Sequence, residues 1–151
     1  MSPPPGRPRA AGVAYTLIVF AVAFVVHAIR VTLLAPRVGA LLAVLVEAPI
    51  VLAVSWRAST WCVRRFRVSP DAGARAGMGA VAFAALMALE LGFAVLAFGE
   101  TLPHYLAKFA TAPGLVGLAV QAMFAMIPWL QGRLGGGNRR GNGFRIVTVD
   151  P

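Results

Sequence analysis

The sequence predicts an all-α integral membrane protein, a four-helix bundle of transmembrane helices. Three observations predict it. The 151 residues are 59% hydrophobic and only 13% charged, with a mean hydropathy of +0.78. A water-soluble domain of this length needs far more polar surface. The apolar residues fall into four runs of about 18–26 residues, against the roughly 20 needed to cross the hydrocarbon. The runs are continuously apolar and do not alternate, which excludes lipid-facing barrel strands. In lipid each helix satisfies its own backbone.

Each element follows in order. Residues 1–12 form a basic, Pro-rich arm (Ser2-Pro3-Pro4-Pro5-Gly6-Arg7-Pro8-Arg9), expected to be disordered. The first span covers 13–35. Ala21-Val22-Ala23 has the small-x-small form of a signal-peptidase site, but the apolar run continues to Ala35, so the span is expected to be retained. Pro36-Arg37 reads as a tight connection into the second span, 38–56. Residues 57–72 read as a basic loop ending in Ser69-Pro70-Asp71. The third span covers 73–98, the second loop 99–112, and the fourth span 113–130. The glycine density of residues 131–151 predicts a flexible tail. Within it, Phe144–Val149 is too short to be a stable strand alone.

Charge sets the expected orientation. With the N-terminus inside, eleven Lys and Arg residues lie inside and three, Arg30, Arg37 and Lys108, lie outside. Positive-inside bias then places both termini in the cytoplasm, in keeping with a bacterial inner membrane. Tyr15, Trp56, Trp61 and Trp129 are expected in the inner aromatic belt and Tyr105 in the outer one. The net charge of +9 is assigned to these flanks and not to nucleic acid, since no nucleic-acid-binding motif accompanies it. The lone Cys62 excludes an internal disulfide and reads as an incidental thiol.

Function is sought in the polar residues within the runs. His27 and Arg30 lie in the first span, Glu47 in the second, Glu90 in the third and Gln121 in the fourth. At 1.5 Å per residue, His27, Glu47, Glu90 and Gln121 sit about 12–14 Å from the outward-facing ends. They therefore form a candidate intramembrane polar site. Arg30 shares a face with His27. An intramembrane charge costs about 2.5–3.5 kcal/mol even on the mildest scale, so Arg30 is expected to pair with Glu47 or Glu90. Pro49 removes the partner of the Leu45 carbonyl and is expected to kink the second helix beside Glu47. Structural readings stand beside these: Gln121 as interhelical glue, Arg30 snorkelling to headgroups and His27 as a core histidine.

Other features carry less. Gly73, Gly77, Ala80, Ala84 and Ala88 make a ridge of small residues, read as packing within one subunit, or alternatively as a seam between copies or with another membrane subunit. Arg64, Arg65 and Arg67 are candidates for contact with anionic lipid headgroups, although topology alone accounts for them. Glu100 and His104 are too few to define a metal site. The sequence contains no phosphate-binding glycine loop or metalloprotease motif, and it calls for no cofactor. In span number and length the chain resembles the membrane glutathione-transferase superfamily. Its second helix offers only Glu47-Ala48-Pro49 where that family has a richer run of Arg, Asn and Glu, so no residue role carries over. Three functions remain in view. The preferred one is a non-enzymatic accessory or assembly bundle in the lipid bilayer. The alternative is a small proton-coupled carrier, and the third is an intramembrane enzyme acting on lipid.

Overall fold

A computed structural model describes residues 7–137. All of its regular elements are helices: α1 (Pro8–Ile29), a π-helical turn (Arg30–Leu34), α2 (Ala35–Val38), α3 (Ala40–Arg65), α4 (Ala72–Phe98), α5 (Leu102–Lys108) and α6 (Ala112–Gly137). Four helical stretches are long and apolar enough to cross a membrane: Pro8–Val38, Ala40–Arg65, Ala72–Phe98 and Ala112–Gly135. The expected all-α four-helix membrane bundle is the observed fold.

Local chemistry sets the helix ends. Gly39, at φ 85°, makes the reversal between α2 and α3 in a conformation that L side chains rarely adopt. Asp71 caps α4 by accepting from the Ala74 amide at 3.0 Å. At the far end of α4, Gly99 is left-handed at φ 65°. Its amide and that of Glu100 close onto the Val95 and Ala94 carbonyls at 3.0 Å each.

Several boundaries differ from the sequence expectation. Residues 8–12 belong to α1 and not to a disordered arm, and Arg7 donates its amide to the Phe66 carbonyl. Pro36-Arg37 is helical, because proline is tolerated in a first turn, and the reversal falls at Gly39. Residues 57–65 continue α3. Arginines marked that stretch as loop, but Ala58, Ser59 and Cys62 are buried at helical spacing. A 26-residue helix is about 39 Å long, so its charged end passes beyond the hydrocarbon without cost. Residues 131–137 continue α6. The rest of the expected arm and tail, including 144–149, lies outside the described residues.

The long helices form a ring in which α1 neighbours α3 and α4, and α6 neighbours α3 and α4. The molecule is thus two helical hairpins side by side, α1/α3 and α4/α6. The buried core gathers at the end carrying the start of α1: Ala11, Tyr15, Val19, Ala58, Cys62, Met78, Ala82 and Phe124. Tyr15 is not in a lipid-facing belt. It is fully buried, stacked on Phe124 at 4.3 Å, and donates its hydroxyl to the Phe124 carbonyl at 3.0 Å. Thr16 donates to the Ala82 carbonyl at 2.9 Å. Gln131 bridges to α3: it accepts from Ser59 Oγ at 2.8 Å and donates to the Trp56 carbonyl at 2.8 Å.

Close helix approach uses different glycines from those expected. Gly77, Ala80, Ala84 and Ala88 are exposed, so the predicted ridge does not pack within the subunit. The packed face of α4 lies two positions away, at Met78, Ala82 and Leu86 with Gly79 beside them. A Cβ on Gly79 would overlap the Ala125 carbonyl oxygen of α6, and one on Gly12 would sit 2.7 Å from the Met78 carbonyl oxygen. Gly79→Ala is therefore expected to destabilise the bundle by about 1–3 kcal/mol. Gly77→Ala, with nothing within 4 Å of the added atom, is expected to be neutral or slightly stabilising. Thermal unfolding in detergent compares the two.

Candidate functional site

The core seals one end of the bundle, and the other end stays open. A cavity of 740 Å³ lies there between the two hairpins. Val19, Leu86 and Phe124 form its floor, and Thr32, Phe98, Lys108 and Thr111 line it near the interhelical connections. Its volume is in the range of about 300–1,000 Å³ that holds drug-sized ligands.

The α1/α3 wall carries His27, Arg30 and Glu47. Arg30 opens the π turn, where the Ala35 amide bonds back to the Arg30 carbonyl, five residues earlier. The Thr32 hydroxyl satisfies the Ala28 carbonyl at 2.7 Å. Arg30 Nε lies 2.6 Å from Glu47 Oε2, and both side chains are nearly buried, at 14% and 11% exposure. Arg30 therefore pairs inward and does not snorkel. Its Nη2 also lies 3.0 Å from His27 Nδ1. The same Nη2 stands 3.4 Å from His27 Nε2, so Arg30 faces the ring edge between its two nitrogens. His27 Nδ1 stands 3.7 Å from Glu47 Oε1. Pro49 lies inside α3, but Leu45 does not line the cavity, so the carbonyl freed by Pro49 is not a contact on this wall.

The α4/α6 wall carries Glu90, Gln121 and Tyr105. Gln121 Nε2 donates to Glu90 Oε2 at 2.6 Å, and the Tyr105 hydroxyl donates to the same oxygen at 3.5 Å. Gln121 Oε1 is buried without a partner. Among the described residues Glu90 takes part in no ion pair. Glu100 is paired to Lys108, which removes it from His104. Among the described residues no three His, Cys, Asp or Glu side chains gather as metal ligands.

The five residues singled out from the sequence thus line one cavity, as two separate clusters. Arg64, Arg65 and Arg67 lie at the opposite end of α3, exposed and away from it. Sequence reading missed Tyr105 as a partner of Glu90. Its only signal was an aromatic residue on a short loop helix that places it beside the cavity. Gln131 was also missed, because it fell in the stretch read as tail. No protein-family model, curated protein or solved structure compared with the chain matches it.

Two outcomes follow. Arg30→Met strands the Glu47 carboxylate and is expected to cost about 3–5 kcal/mol, most of it recovered when Glu47→Gln is added. Thermal unfolding of the single and double variants measures this. The Tyr105 phenol is pushed up to about 12, first by burial and then by the neighbouring Glu90 and Glu100 charges. Its contribution to stability is complete below the ordinary value of 10 and is lost as the pH rises through about 12. Ultraviolet titration of the Tyr105→Phe difference spectrum is expected to show no phenolate signal at pH 10.

Proposed function

We propose that the protein is a small intramembrane carrier that takes a hydrophobic molecule into the cavity and exchanges protons at its carboxylates. One observation supports this above all: the rare intramembrane ionisable residues line a single open cavity, where Arg30 pairs with Glu47 and Glu90 has no ion-pair partner among the described residues. The accessory-bundle reading preferred from sequence explains Thr16, Tyr15 and Gln131, whose hydrogen bonds lock the helices. Those bonds lie in the closed half, however, and leave the polar cavity without a role. For the enzyme reading, the hydroxyl and amine nucleophiles on the lining are engaged elsewhere: Thr32 and Thr111 donate to the Ala28 and Lys108 carbonyls, and Lys108 pairs with Glu100.

The placement of the ion pairs favours movement. Arg30–Glu47 lies within the α1/α3 hairpin, and Glu100–Lys108 and Gln121–Glu90 lie within the α4/α6 hairpin. Among the described residues no ion pair joins the hairpins across the cavity. Rocking about the core therefore strands no charge, and alternate opening needs only that the closed end loosen. Positive-inside bias supports reading the arginine-rich closed end as the cytoplasmic one.

The test is pH-dependent separation of the hairpin tips. Spin labels at Arg37 and Leu102 of the protein in nanodiscs are expected to give a distance distribution that shifts between pH 5 and pH 9. Glu90→Gln is expected to hold one distribution throughout. A wild-type distribution that ignores pH returns the accessory-bundle reading.

A further inference from the structure

We propose that the cargo is a lipophilic organic cation, and that Glu90 binds it in exchange for a proton. This rests on the carrier reading for transport, but the binding site is argued from charge and surface alone.

Charge is decisive. Five ionisable side chains of full charge line the cavity: Arg30, Glu47, Glu90, Glu100 and Lys108. Arg30 is matched by Glu47 and Lys108 by Glu100. Among the described residues one carboxylate on the lining is left outside every ion pair, and it is Glu90. The neighbours that face Glu90 from each packed element are the Gln121 amide of α6, the Tyr105 hydroxyl of α5 and the His27 ring of α1. Hydrogen bonds from Gln121 and Tyr105 hold the carboxylate in place without neutralising it. In a low-dielectric cavity a single unmatched acid is satisfied by a proton or by a cationic guest.

The surface around Glu90 suits the same guest. Phe24, Phe93, Phe98, Tyr105, Phe109 and Phe124 all line the cavity. Phe24 and Phe93 meet edge to face at 5.1 Å, Phe93 meets Phe98 at 5.7 Å, and Tyr105 meets Phe109 at 5.3 Å. Aromatic faces attract a diffuse cation and repel an anion of equal size. A hydrophobic anion would meet the ring faces and Glu90 with like charge, while Arg30 and Lys108 are already engaged.

The exchange balances simply. A protonated Glu90 gives up one proton as one monovalent cation enters, and no covalent bond changes. Proton and cargo cannot hold the carboxylate together, which is the coupling a carrier needs.

Tetraphenylphosphonium and tetraphenylborate, ions of nearly equal size and opposite charge, make the test. Binding to the purified full chain in detergent is measured by calorimetry in two buffers of different ionisation enthalpy. The phosphonium is expected to bind at least tenfold tighter than the borate, more tightly as pH rises, with release of close to one proton at low pH. Glu90→Gln, nearly isosteric, is expected to lose at least tenfold in phosphonium affinity and all pH dependence. Should Glu90→Gln fail to fold, the wild-type ion preference and its proton release decide. Equal binding of the two ions, no phosphonium binding, or phosphonium binding untouched by Glu90→Gln overturns the assignment. Hairpin tips that still move with pH would then leave the carrier reading intact and the cargo wrong. A preferred phosphonium with immobile tips would leave the site intact and the carrier wrong.

Discussion

Four apolar helices gain nothing from hydrophobic burial against one another in oil, because lipid tails are as apolar as leucine. Everything in this bundle depends on what replaces that driving force. At the closed end the replacement is close contact: Gly12 lets α1 approach α4, and Gly79 lets α4 approach α6. Polar side chains then cross the gaps, Thr16 to Ala82, Tyr15 to Phe124 and Ser59 to Gln131. At the open end the hairpins meet through the Phe24–Phe93 ring pair at 5.1 Å, and a void of 740 Å³ lies beside it.

The two ends also treat polarity differently. The closed end uses neutral hydroxyls and an amide, which desolvate cheaply and hold geometry. The open end concentrates full charges, each matched within its own hairpin except Glu90. An arrangement meant only for rigidity would bridge the hairpins with those charges. Here each hairpin is electrostatically self-sufficient, which makes the space between them available to a guest.

Much of this was legible in the sequence, for a physical reason. Continuous apolar runs leave helices as the only spanning element, and isolated ionisable residues within them have to find shared partners. Hence the four spans could be read directly, and His27, Glu47, Glu90 and Gln121 line one cavity. The helix ends were less legible. Charge was taken to mark loop at 57–65, yet helices extend past the hydrocarbon, and Ser59 and Cys62 turn inward there. The packed face of α4 lies two positions from the expected ridge, because small residues occupy much of that helix and hydropathy cannot tell Gly77 from Gly79. Tyr15 shows the same limit, since an aromatic residue near a membrane boundary fits a belt and a core equally well until its partner Phe124 is placed.

The π turn at Arg30–Leu34 carries a consequence for tracing ancestry. One residue accommodated in a wide turn sets the following segment back by about 100° relative to an uninterrupted α-helix. A descendant or ancestor lacking that turn would be one position shorter here, with Pro36 and Arg37 unmoved in space while every position upstream shifts register. Comparison of distant sequences across this stretch therefore calls for a single gap within the π turn, residues 30–34. An ungapped comparison would set Arg30 against the wrong column and conceal kinship that the fold retains.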